Sequence, residues 1–206
     1  MSREKNIIYL ARFVSALFTP FYLPLIGLIL LFTFSYLALM PIGYRLMIIT
    51  IAYVATILLP TCLIHFYRRY QGWTLIELGQ RERRMVPYAI SIVCYLGCVG
   101  VFMYLNVFRF VSSIILSALL VQIVCGIINV WWKISTHTAA IGGVAGALLS
   151  FSAIFGFDPI WWLCVVLIVA GMLGSARMIL RQHSLSQVVG GFAIGFVCAS
   201  LGILYF

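Results

Sequence analysis

The stretch WWKISTHTAAIGG, residues 131–143, sets Lys133, Ser135 and His137 two residues apart, between an apolar run and a run rich in glycine and alanine. A second stretch, SARMILRQHSLSQ at 175–187, carries Arg177 and Arg181, then His183 and Gln187. A third, RERRMVPY at 81–88, carries Arg81 and Arg84. Arginine forks and lysine ammonium groups suit phosphate oxygens. Imidazole titrates near neutrality, so it can attack phosphorus or move a proton. Two imidazoles and several cations are a sufficient set for phosphoryl transfer. One ring attacks to give a phosphohistidine, and the other protonates the leaving oxygen and then activates water. The cations hold the equatorial oxygens meanwhile. The chain has only 3 histidines. His65, beside FYRRY, has no partner in the sequence and reads as interfacial.

Local chemistry sharpens each stretch. Ser135 or Thr136 fits the N-cap of a helix running through AAIGGVAGALL. Free N–H groups and the helix dipole then favour an anion there, and Lys133 adds a full charge. A capped helix with a snorkelling lysine would account for the same residues without chemistry. Arg177 and Arg181, four apart, share a face of a continuous helix. His183 does not, so that helix must end near 181–183 if all three reach one ligand. Ser184 and Gln187 fit a capping box, and Gln187 is also placed to orient the His183 ring. The acidic residues are Glu4, Glu77, Glu82 and Asp158, none beside His137 or His183. Paired acidic metal ligands are therefore not expected, nor is any cofactor.

The elements that must position these groups are membrane helices. The chain is 65% hydrophobic and 8% charged, with mean hydropathy +1.17, against about 25% charged residues in soluble domains. Its apolar runs approach the ~20 residues that cross a bilayer and lack the alternation of a barrel strand. The expected fold is an all-α polytopic transmembrane bundle of six to seven spans, a single integral membrane domain over 1–206. Spans are expected near 20–38, 46–66, 86–105, 110–132, 138–156, 160–178 and 187–205. Residues 4–18 either extend the first span or form an interfacial helix with Arg12 on its wet side. The N-terminus lacks a clear cleavage site and reads as retained. Cys62, Cys94, Cys98, Cys125, Cys164 and Cys198 read as small buried hydrophobes. Trp131–Trp132 and Trp161–Trp162 mark span ends.

Gly142 with Gly146, and Gly191 with Gly195, give two helices small faces for close packing. Both helices begin just after a polar stretch, so their contact would draw His137 and His183 together. Seven crossings place every basic residue except Arg45 and Arg109 on one side. The positive-inside tendency makes that side cytoplasmic, and the expected location is a bacterial inner membrane.

On these residues the chain resembles the type 2 phosphatidic acid phosphatase superfamily. Its Ser-x-His pattern matches Ser135 and His137, with Ile134 and Thr136 in place of the motif's proline and glycine. Its Arg-x5-His pattern matches Arg177 and His183, with Gln187 where the family has aspartate. Arg81–Arg84 and Pro87 echo the first motif without its lysine, whose charge Lys133 would supply. The resemblance covers about residues 81–200. It implies a metal-independent lipid phosphate or diphosphate phosphatase, with His183 as nucleophile and His137 as general acid. Ser135, Arg177 and Arg84 would bind phosphate, joined on charge and spacing by Lys133, Arg81 and Arg181. The expected partners are a phosphorylated lipid and the bilayer, and no nucleic acid. Two other readings share the site: a lipid phosphotransferase, and an inactive binding or carrier protein for anionic lipids.

Overall fold

A computed structural model describes residues 2–74, 77, 80 and 82–205. The described residues form eight helices and no strand. These are α1 Ser2–Leu17, α2 Tyr22–Phe34, α3 Ile42–Tyr70, α4 Met85–Tyr104, α5 Arg109–Asn129, α6 Thr136–Phe155, α7 Ile160–Ile179 and α8 Leu185–Tyr205. Six of them, α3 to α8, are long and apolar enough to cross a membrane. The protein is an integral membrane helical bundle.

The first expected span needs correction. α1 and α2 meet at a 57° bend, and Pro20 sits in the break, where it supplies no N–H donor. α2 has 13 residues, or about 20 Å of helix, well short of a hydrocarbon core of about 30 Å. Ser35 ends it, accepting from the Leu37 N–H at 3.2 Å, and a 3₁₀ turn at Tyr36–Leu39 follows. A seventh crossing exists only if this broken pair is taken as one. The second span is longer than expected, reaching from Ile42 to Tyr70 around a π turn at Val54–Leu58. Pro60 follows directly, and the wider turn relieves the clash its ring would make with a preceding carbonyl. Of the cysteines, Cys98 and Cys125 are buried as expected, whereas Cys62 and Cys164 lie exposed on the outer surface.

From α4 onward the chain alternates direction. The starts of α4, α6 and α8 and the ends of α5 and α7 therefore share one end of the bundle. At the other end, Gly156 ends α6 in the left-handed region with φ 67°. Arg109 there donates to the Tyr205 carbonyl at 2.9 Å. Phe110, Phe151 and Phe155 form an aromatic floor with centroids 5.2 and 5.5 Å apart, and Tyr36 meets Phe155 edge-on at 5.8 Å.

α6 and α8 make the most extensive helix contact among the described residues. Their backbones touch through the expected glycines. A methyl at Gly195 would overlap the Ala139 carbonyl, and one at Gly142 the Phe192 carbonyl. Gly146 faces the Phe196 carbonyl, and Gly191 faces Ser135 and Thr138. Lipid supplies no hydrophobic drive between helices, so this close fit is what holds them.

Gly195→Ala is accordingly expected to lower stability by about 3 kcal/mol or more, because α6 and α8 must separate along their length. Gly97→Ala, with open space around its added methyl, is expected to be neutral or to gain up to about 1 kcal/mol from helix propensity. Thermal midpoints of both variants in detergent check the contrast.

Candidate active site

Ser135 is the N-cap of α6. Its hydroxyl accepts from the Thr138 N–H at 3.5 Å, and the Thr138 hydroxyl donates back to the Ser135 carbonyl at 3.1 Å. The residue is fully buried in this cap. Ser135, expected to bind phosphate, is instead fully buried at the helix start and does not line the central cavity. Thr136 and His137, in the first turn, line the central cavity in its place.

The end of α7 follows a Schellman pattern. The Gln182 N–H donates to the Arg177 carbonyl at 3.1 Å, and the Arg181 N–H to the Met178 carbonyl at 2.8 Å. This puts Arg181 at φ 50°, a left-handed conformation that favours glycine. The helix stops before Arg181, so Arg177 and Arg181 do not share a helix face as expected. The turn instead brings Arg177, Arg181 and His183 to the same cavity.

Gln187 both caps and orients. Its Oε1 accepts from the Ser184 N–H at 3.2 Å and lies 3.1 Å from His183 Nδ1. Because a backbone N–H already donates to that atom, it is an acceptor, and the His183 Nδ1 must carry the proton. Nε2 then holds the lone pair. Only this return half of the capping box forms; the Ser184 hydroxyl meets Ser186 Oγ at 3.0 Å.

The remaining cations converge from other elements. Arg84, just before α4, donates to the Ile134 carbonyl at 3.3 Å and the Thr136 hydroxyl at 3.2 Å. Arg177 donates to Ser15 Oγ of α1 at 2.7 Å, and its Nε is buried without a partner. Lys133 lines the cavity beside them. Arg83 is spent elsewhere, 3.3 Å from Glu77 and stacked 4.6 Å over the Trp73 ring. Arg81 lies outside the described residues. Among the described residues no carboxylate pairs with Arg84, Lys133, Arg177 or Arg181.

The titrations answer this unopposed charge. Burial, then Arg177 and Arg84, push His183 down to about 4, against a smaller upward pull from Gln187. Burial, then Arg84 and Arg177, lower Lys133. His137 is close enough to Arg177, Arg84 and His183 to interact with each, and its ring lies near the Ser15 backbone. Its Nδ1 is buried with no partner. No three His, Cys, Asp or Glu side chains among the described residues come together to hold a metal ion. In the free protein the site thus sets a neutral imidazole beside cations that have no carboxylate partner among the described residues.

The cavity has a volume of about 1060 Å³, above the roughly 300–1,000 Å³ usual for small-molecule sites. Its polar mouth holds Arg84, Lys133, His137, Arg177, Arg181 and His183, and it runs down past Leu31, Ile114 and Val121 to Phe151 and Phe155 on the aromatic floor.

No family model, curated protein or solved structure matches the chain. Two contributors were not expected from the sequence. Thr136 was read only as a possible cap. Ser15 lies in an apolar run where a hydroxyl most often bonds its own helix, so nothing in FVSAL marks it as the partner of a residue in α7.

Arg181→Gly is expected to stabilise the α7 terminus by about 1 kcal/mol, since glycine adopts the left-handed region freely, while weakening inorganic phosphate binding severalfold. Thermal midpoints with and without phosphate separate the two effects.

Proposed function

We propose that the protein is a metal-independent lipid phosphate phosphatase acting through a phosphohistidine, a divergent relative of the type 2 phosphatidic acid phosphatases. The observation that carries this reading is one cavity whose mouth combines two imidazoles with four cations lacking carboxylate partners among the described residues, and whose depth is mainly apolar. A phosphate headgroup supplies the missing negative charge, and its lipid tail fills the space beneath.

His183 Nε2 attacks phosphorus. An N–P bond forms as the bond from phosphorus to the lipid oxygen breaks, and His137 gives its proton to that oxygen. The neutral His137 then takes a proton from water, whose oxygen displaces His183 and releases phosphate. Arg84, Arg177, Lys133 and Arg181 hold the equatorial oxygens, helped by the N-terminus of α6. Gln187 keeps the Nδ1 proton in place, so Nε2 is always the attacking atom. Unlike aspartate, it offsets no charge on the phosphorylated ring. We place the basic end on the cytoplasmic face of a bacterial inner membrane, because Arg45 and Arg109 alone stand at the opposite end.

Purified protein is expected to release phosphate from a lipid phosphate in the presence of chelator. His183→Ala should abolish release, and His137→Ala should slow it at least 100-fold while sparing phosphoenzyme formation from an aryl phosphate that needs no acid. Release that depends on added divalent metal, or that survives His183→Ala, would sink the mechanism. Tight lipid binding without release would mark a carrier.

The pH profile carries its own sign. Protonation of His183 removes the nucleophile, and its free-protein value is about 4. With the aryl phosphate, whose departure needs no proton from His137, and after correction for its second ionisation, kcat/KM should therefore hold down to pH 5.5, about one unit below a free imidazole, and fall as pH drops toward His183's own value. Gln187→Asp places a carboxylate against Nδ1 and should move that acid limb upward by about one unit. A limb near the ordinary imidazole value in the unmutated protein counts against His183 as the nucleophile.

A further inference from the structure

The catalytic account leaves Tyr88 unused. It lies one turn into the bundle from Arg84 on the same face of α4, about 6 Å deeper along the helix axis. The Arg84 guanidinium stands 5.6 Å over its ring. The residue is 8% exposed and lines the cavity, and its hydroxyl is buried with no hydrogen-bond partner. An unpartnered hydroxyl at this depth is costly, because it has given up its bond to water for nothing in return. Its neighbours do not relieve it. Ser91 donates to the Pro87 carbonyl of its own helix at 2.8 Å, and Gly126 offers only a flat surface beside the Tyr88 ring, where an added methyl would meet ring carbons at 3.7 Å. The deeper Tyr95 hydroxyl is also buried without a hydrogen-bond partner, but Thr56 and Gln122 stand near it, and it lies about two turns farther from Arg84 along α4 than Tyr88 does.

A phosphate held at Arg84 puts the next few bonds of its lipid level with Tyr88. In an acylated lipid those bonds carry ester or amide carbonyls, which accept a hydrogen bond. In a polyprenyl chain the same depth is bare hydrocarbon. We infer that the Tyr88 hydroxyl is a subsite for an acyl carbonyl, so that the protein selects acylated lipid phosphates over polyprenyl ones. This deepens the phosphatase reading and rests on it for the position of the phosphate.

The test compares two short-chain glycerolipid phosphates that differ only in ester or ether linkage, with a polyprenyl phosphate as third probe. The full-length protein in detergent is expected to show a KM for the ester about five- to tenfold below that for the ether, the range of one neutral hydrogen bond. The polyprenyl phosphate should resemble the ether. Tyr88→Phe should erase the ester advantage. Equal KM values for ester and ether in the unmutated protein overturn the inference whether or not the variant folds. So does a Tyr88→Phe variant that weakens both alike, which would assign the hydroxyl to water or to the phosphate. Thermal stabilisation by each lipid is measured in parallel. Preferential stabilisation by the ester without phosphate release upholds the subsite and sinks the phosphatase reading. Release without linkage preference does the reverse.

Discussion

The backbone contact between α6 and α8 sets everything else at the site. Glycine at 142, 146, 191 and 195 lets the two helices meet carbonyl to Cα, with no side chain between them. That approach fixes the start of one helix against the start of the other, and the Ser135 N–H reaches the Gln187 carbonyl at 3.4 Å. His137 follows the first start and His183 precedes the second. Two residues far apart in the chain thus face one cavity without any direct bond between their side chains. The site is a consequence of helix packing, and the polar residues decorate a geometry that small residues create.

Charge then takes over from packing. Membrane interiors penalise ions, which is why cations sit at span ends. Here four gather at one end with no carboxylate among the described residues to neutralise them. Some of their donors are occupied by neutral oxygens: Ile134 and Thr136 for Arg84, Ser15 for Arg177. These bonds hold the guanidinium groups in place without cancelling their charge. Burial first, and the same field second, keep His183 neutral, so in the proposed reaction the cations that hold an anion also help preserve the lone pair that attacks it.

Much of this was legible in the sequence. Apolar runs near membrane length gave the spans, and four-residue glycine spacing named the α6–α8 contact. Ser-x-x-Gln after His183 foretold both roles of Gln187. What could not be read depended on conformation beyond helical periodicity. A left-handed residue at Arg181 is invisible in a sequence that places arginine where glycine is usual. The choice of Ser135 over Thr136 as cap turns on one residue of register, and that register decides which hydroxyl is consumed and which lines the cavity. The bend after α1 decides between the two readings of residues 4–18, and its consequence could not be read, because the partner of Ser15 lies in α7.

That last contact gives α1 a part in the site. Ala11, Val14 and Ser15 form its buried face and pack near Leu173 and Ala176 of α7. The opposite face leaves Leu10, Phe13 and Leu17 exposed, an apolar surface suited to contact with lipid. The 57° bend turns α1 away from the line of α2, and its end lies beside Arg177 at the cavity mouth. Ser15 then presents its hydroxyl to Arg177, with its backbone near His137. A lipid phosphate reaching Arg177 must compete with the Ser15 hydroxyl or share the guanidinium fork with it. Because the buried Nε of Arg177 has no other partner, the fork retains a donor for the incoming anion even while Ser15 holds its place.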